Sequence, residues 1–187
     1  IVGIGQGFNV VTPLQLANAL AALVADGQRR APRLLFAEKP ADAESAERVR
    51  APVVANIPVR DDENWQLVRE GMRRVVNGRR GTARDVGLDA PFVIAGKTGT
   101  AQVFALNRDR QYEEESLDES LRDHALFIAY APYEAPSIVV AVVVDHGGAG
   151  SRVAAPVARA TIDAWLEQEP VTLGVNGTGR VTATEGP

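Results

Sequence analysis

Two apolar runs of strand length lie close together toward the C-terminal end, residues 125–131 (ALFIAYA) and Ile138–Val144 (IVVAVVV), linked by Pro132-Tyr133-Glu134-Ala135-Pro136. Neither run alternates apolar with polar, so each strand must be covered on both faces rather than on one. The short proline-bounded link returns the chain on itself and predicts neighbouring antiparallel strands. A sheet buried on both sides needs a layer on each side. The fold class is therefore read as α/β (α+β), an antiparallel sheet covered by helices on both faces. A chain of 187 residues that is 45% hydrophobic has enough apolar material for one such domain.

Candidates for the covering helices can be found. Thr12-Pro13-Leu14-Gln15 has a capping hydroxyl, a proline suited to the first helical position and a glutamine that completes a capping box. Leu16, Ala17, Leu20, Leu23 and Val24 then recur at helical spacing until Gly27. A second helix starts at Asp61 or Asp62, shows Trp65, Val68, Met72, Val75 and Val76 on one face, and stops at Asn77-Gly78. A third, with Pro156 in its first turn, carries Val153, Val157, Thr161, Ile162 and Trp165. Trp65 and Trp165 are expected in the core. A short strand is expected at Leu34-Leu35-Phe36, followed by a solvated excursion over 37–50. Phe92-Val93-Ile94-Ala95 reads as a strand running into Gly96-Lys97-Thr98-Gly99-Thr100-Ala101-Gln102. The charged stretch 104–123 is long enough to be functional or mobile; its acidic part, 113–119, is read as a solvated face or a wall of a substrate cleft. Residues 1–166 form the globular part, and the Thr-, Gly- and Glu-rich residues 167–187 are expected to be a disordered tail.

Several function classes drop out. The net charge of −4 with interspersed signs lacks the basic stripe that binds nucleic acid. No cysteine is present, so disulfides and thiolate metal sites are excluded. No apolar run approaches the roughly 18 residues of a membrane span. The chain opens on Ile1 within an apolar, glycine-rich run, so it is expected to be part of a longer protein with its targeting segment upstream. His124 and His146 each follow an aspartate, and strand-end hydrogen bonding is favoured over metal ligation. No cofactor is implied.

Glycine, lysine and threonine together first suggest a phosphate loop, but Gly-x-x-x-x-Gly-Lys-Thr needs a glycine where Pro91 stands. Gly3, Gly5 and Gly7 likewise fail the dinucleotide pattern, because Phe8 occupies the third glycine's place. A different feature singles out Lys97: of 20 basic residues only Lys39 and Lys97 are lysine. A compact ammonium suits a crowded polar site better than a guanidinium fork, although an edge strand also uses lysine to discourage aggregation.

Lys97-Thr98-Gly99 resembles the Lys-Thr-Gly element of the penicillin-binding serine acyltransferases, whose partner motifs are Ser-x-x-Lys and Ser-x-Asn. The resemblance extends over about residues 1–166: Gly5-Gln6-Gly7 then Thr12-Pro13 and a helix, 96–102, two apolar strands and a final helix. That succession is similar to the C-terminal half of the transpeptidase domain in class B penicillin-binding proteins. Val103-Phe104, Leu121-Arg122-Asp123-His124, Tyr130-Ala131-Pro132-Tyr133 and Gly147-Gly148-Ala149-Gly150 look closest to the penicillin-binding protein 2 group of the cell-elongation machinery. The resemblance implies that Lys97 supplies positive potential and contacts the serine of Ser-x-Asn, that Thr98 helps bind the substrate's terminal carboxylate, and that the Thr100 amide forms half of an oxyanion hole. An edge strand can hold an extended peptide by backbone pairing, and Gly99 permits close approach.

No Ser-x-x-Lys or Ser-x-Asn occurs in the chain. The nucleophile is thus expected upstream of Ile1, with this segment inactive alone. The resemblance implies a peptidoglycan D,D-transpeptidase acting on D-Ala-D-Ala stem peptides, inhibited by β-lactams, paired with a membrane glycosyltransferase, and periplasmic behind an upstream inner-membrane anchor. A serine β-lactamase, a D-alanine carboxypeptidase and a noncatalytic penicillin-sensing domain remain open alternatives on the same fold.

Overall fold

The computed structural model describes residues 10–34, 37–38, 47–48, 51–103, 119–167, 172–175 and 181–184. In chain order the elements are α1 (Pro13–Val24), β1 (Gln28–Arg30), β2 (Ala37–Glu38), β3 (Glu47–Arg48), β4 (Val53–Asn56), α2 (Glu63–Asn77), a 3-10 turn (Arg84–Gly87), β5 (Ala95–Ala101), a second 3-10 turn (Glu119–Leu121), β6 (His124–Ala131), β7 (Ile138–Val144), α3 (Ala154–Glu167), β8 (Thr172–Val175) and β9 (Val181–Thr184).

The central sheet has the order β5-β6-β7, antiparallel throughout. Its middle strand shows why the pattern of 125–131 carried no polar face. Ala125, Phe127, Ala129 and Ala131 turn to one side, where they meet Ala154, Ala155, Ala158 and Ile162 of α3 together with Val76, Val86 and Ile94. Tyr130 turns to the other, where it packs with Leu20 of α1, Met72 of α2 and Ala95, with Ile128 and Val139 beside them. Helices therefore cover both faces, as the sequence requires.

The helix signals translate directly. Thr12 caps α1 through its hydroxyl, which accepts from the Gln15 amide, while the Gln15 side chain accepts from the Thr12 amide. Gly27, at φ 88°, ends the turn after α1, and its N–H donates to the Ala22 carbonyl at 2.8 Å. An added Cβ there would lie 2.8 Å from the Ile57 carbonyl oxygen, so only glycine serves. At α2 both aspartates take part: Asp62 holds the cap position without a side-chain bond, and the Asp61 carboxylate accepts from the Glu63 amide at 2.9 Å.

Other expectations need correction. β5 starts at Ala95, not Phe92: the Val93 carbonyl accepts from the Tyr133 amide and the Ile94 carbonyl from the Asn77 side chain, so neither enters the ladder. Leu34 lies outside any strand and is fully exposed, and Leu35 and Phe36 lie outside the described residues. The pairing in that part of the chain is instead β1 with β4. Val68 is 46% exposed and Trp165 38%, so neither is core. α3 meets the sheet through Ala154, Ala155, Ala158 and Ile162, because small side chains on both helix and strand let the two backbones approach closely. Among the described residues of 167–187, β8 and β9 pair antiparallel, and their Thr and Val residues are β-formers. Residues 1–9 and the acidic run up to residue 118 lie outside the described residues.

Candidate active site

The four residues singled out in the sequence sit together on β5, an edge strand among the described residues because only β6 pairs with it. Register sorts them by face. Lys97 and Gly99 lie opposite Ile128 and Leu126, on the α1/α2 side, whereas Thr98 and Thr100 lie opposite Phe127 and Ala125, on the α3 side. Lys97 and Thr100 are exposed, and Thr98 and Gly99 half-buried. The strand edge therefore emerges from the core at Lys97.

What fixes the strand lies at its buried end. Ala95 is fully buried and Gly96 is wedged: a Cβ there would fall 2.5 Å from the Phe127 ring. Asn77 bridges α2 to the strand, donating to the Arg73 carbonyl at 2.9 Å and the Ile94 carbonyl at 2.7 Å. The Lys97 ammonium donates to the Thr98 carbonyl at 2.7 Å, which folds the side chain back along its own strand. The Thr98 hydroxyl shares a 3.1 Å hydrogen bond with the Thr82 hydroxyl.

Beyond Thr82 opens a cavity of about 560 Å³, lined by Asp85, Ser151, Arg152, Arg159 and Asp163 among others, but by none of residues 97–100. Arg159 is spoken for there, bonded to Asp163 at 2.7 Å and to the Val86 carbonyl at 2.7 Å. On α2, Arg73 and Arg74 both bond Glu70, holding its carboxyl down at about 2. Arg73 also lies over the Tyr133 ring at 5.9 Å.

Gly99 is less constrained than the motif suggests. A Cβ there would meet only Leu126 Cβ, at 3.2 Å. The tighter glycine is the last of the Gly147-Gly148-Ala149-Gly150 run: Gly150, whose added Cβ would strike the Leu126 and Gly99 carbonyl oxygens. The histidines pair at the end of the sheet where His124 lies opposite Ala101, next to Thr100. The His146 amide donates to His124 Nδ1 at 3.0 Å, and the His146 ring contacts the Arg122 carbonyl at 3.2 Å. Among the described residues no cluster of three or more His, Asp or Glu side chains is arranged to hold a metal ion.

Comparison with known proteins gives this strand its context. The family model of the penicillin binding protein transpeptidase domain matches residues 1–163. The peptidoglycan D,D-transpeptidase MrdA of Haemophilus influenzae is 42% identical over 173 residues, which cover 89% of this chain and 25% of that protein. The solved structure of PBP2 from Pseudomonas aeruginosa superposes with a TM-score of 0.70 at 41% identity, covering 91% of this chain and 34% of the other. Penicillin-binding protein A from M. tuberculosis does so at 0.56 and 28% identity, over 88% of this chain and 34% of the other. The chain thus spans about a quarter of the curated relative and a third of the solved chains. Since the match runs through the sheet, its covering helices and the Lys97-Thr98-Gly99 edge alike, this chain belongs to the penicillin-binding protein transpeptidase domain family.

Proposed function

We propose that the whole protein is a serine-type peptidoglycan D,D-transpeptidase of the cell-elongation type, and that this chain supplies one wall of its active site. The observation that carries the reading is the edge of β5 at residues 97–100, where Lys97 and Thr100 are exposed and where, among the described residues, the strand pairs with β6 alone. Such an edge can align an extended peptide by backbone hydrogen bonds. Lys97 contributes positive potential at the site, the Thr98 hydroxyl a donor for the substrate's terminal carboxylate, and the Thr100 amide one half of the oxyanion hole.

The serine comes from outside this chain, which has no Ser-x-x-Lys. Its oxygen attacks the carbonyl carbon of the penultimate D-alanine, and the amide bond to the last D-alanine breaks, releasing that residue with a proton on its nitrogen. An amine of a second stem peptide then attacks the acyl-serine, forming the cross-link and returning the serine hydroxyl. A β-lactam takes the donor's place and stays attached after ring opening. The acyl-enzyme named for penicillin-binding protein A with penicillin G supports this course. A glycan-polymerising partner belongs to the same proposal, supported by the similarity, at 30% identity, to a chain from a peptidoglycan synthase complex. So do a periplasmic location and a membrane anchor in the rest of the protein; no helix among the described residues is long and apolar enough to cross a membrane.

Fluorescent penicillin tests the reading. The whole protein should label covalently and persistently, the isolated segment should not, and Lys97→Ala should slow acylation by roughly 100-fold, about 3 kcal/mol of barrier, with the fold retained. An unlabelled whole protein, or a Lys97→Ala variant acylating at the normal rate, contradicts it. Rapid hydrolytic loss of the label would favour a β-lactamase or carboxypeptidase.

A further inference from the structure

Gly150 lies in the loop between β7 and α3, far along the chain from β5, yet it is pressed against the Lys97-Thr98-Gly99 strand. It is buried, and a Cβ built on it would fall 2.5 Å from the Gly99 carbonyl oxygen and 3.3 Å from the Gly99 nitrogen, with the Leu126 carbonyl oxygen closer still. These neighbours are backbone atoms of two paired strands, so no side chain can rotate away to make room. Gly99 and Leu126 are themselves partners in the ladder, and their side positions face α1 and α2. Gly150 therefore covers the bare backbone between Thr98 and Thr100 on the opposite, α3 face.

The loop cannot easily step back. The Gly148 amide donates to the Asp123 carbonyl at 2.7 Å, the Gly150 carbonyl accepts from the Ala155 amide of α3 at 2.9 Å, and the Arg152 and Val153 amides both donate to the Ala149 carbonyl. The His146 amide is held by the His124 ring. Nor can β6 yield, being paired on both sides. Of the two strands that a Cβ at 150 would strike, β5 is the one that, among the described residues, is held from one side, so a side chain at 150 would be relieved by displacing the strand at Gly99.

We infer that Gly150 is a positioning residue for acyl transfer: the absence of its side chain sets where the Gly99–Thr100 peptide, and with it the oxyanion-binding amide, lies. The inference rests on the transpeptidase reading of β5. It predicts that a substitution remote from the reacting atoms acts on the chemical step rather than on the encounter with substrate, because a misplacement of about 1 Å costs on the order of 100-fold in rate.

The experiment uses the whole protein and fluorescent penicillin, separating the first-order acylation constant from the binding constant. Gly150→Ala should lower the acylation constant about 100-fold with little change in binding. Gly147→Ala is the matched control, since the nearest atoms to its Cβ are side-chain carbons of Val144 and Ala125, at 3.0–3.1 Å; it should stay within about twofold. A purely structural defect would reduce the amount of labelled protein and leave the constant of the folded fraction unchanged. If Gly150→Ala does not fold, His124→Ala, which frees the His146 amide and loosens the loop, should slow acylation about threefold, and His124→Gln, which restores an acceptor, should recover it. Acylation within about twofold of normal in Gly150→Ala, or an unaffected His124→Ala where the former cannot be made, overturns the inference. A defective Lys97→Ala beside a normal Gly150→Ala would overturn this inference alone; a whole protein that penicillin never labels would overturn both.

Discussion

The two faces of the central sheet are built differently. On the α3 side Ala125, Phe127, Ala129, Ala154, Ala155, Ala158 and Ile162 are all at most 1% exposed, a dry contact of small residues around two large ones. On the α1/α2 side Tyr130 and Ala95 are sealed, but Leu126 and Ile128 stay half-buried and Lys97 stands open. The first face holds the sheet; the second holds it less completely and leaves the strand edge accessible. The difference teaches that close packing is concentrated on the α3 side of the three strands, while the α1/α2 side leaves Lys97 exposed.

Substitutions can break that division or sharpen it. The largest expected effect is on the closed face: Ile162→Ala should cost about 4 kcal/mol, seen as a fall in the thermal midpoint, while the acylation constant of the folded fraction holds. Loss of that constant would show that the faces are not independent. On the open face the Tyr130 hydroxyl is buried without a hydrogen-bond partner among the described residues, and burial raises its pKa from 10.0 to about 12. Tyr130→Phe removes the unpaired group and should stabilise by about 1 kcal/mol. The sign of the pH effect follows from the raised value. The folded protein keeps the phenol proton when the unfolded chain has lost it, so stability is intact below pH 10.0 and drains away as pH rises through about 12. The thermal midpoint over that alkaline range should fall less steeply in Tyr130→Phe, and equal slopes would contradict the burial argument. An effect of similar size and opposite sign belongs to Thr12→Ala, which should destabilise by about 1 kcal/mol through the lost cap of α1, measured by denaturant titration.

Much of this was legible in the sequence, for reasons that are local. The apolar runs that became β6 and β7 declared both their strand character and their double burial. Thr12, Pro13 and Gln15 declared the start of α1, since each acts on atoms within three residues. The Lys97-Thr98-Gly99 motif reads as part of a strand, and it lies on β5. Less was legible where partners are distant. Val157 and Trp165 belong to the same apolar set as Ile162, yet Ala154, Ala155 and Ala158 join Ile162 in the contact while Val157 and Trp165 stay exposed, because what decides burial is the shape of the opposing strand. Phe92, Val93 and Ile94 look like the start of β5, yet Asn77 and Tyr133 claim the backbone there.

Sequence alone thus determined the antiparallel sheet, its two helical layers and the strand that bears the lysine, because hydrophobic period and capping chemistry are properties of near neighbours along the chain. Only the tertiary structure decided which faces close, that Thr82 reaches Thr98, and that Gly150 lies on the backbone of Gly99. Those contacts join segments far apart in sequence, and close packing, with no room for one more carbon, is settled by the assembled fold.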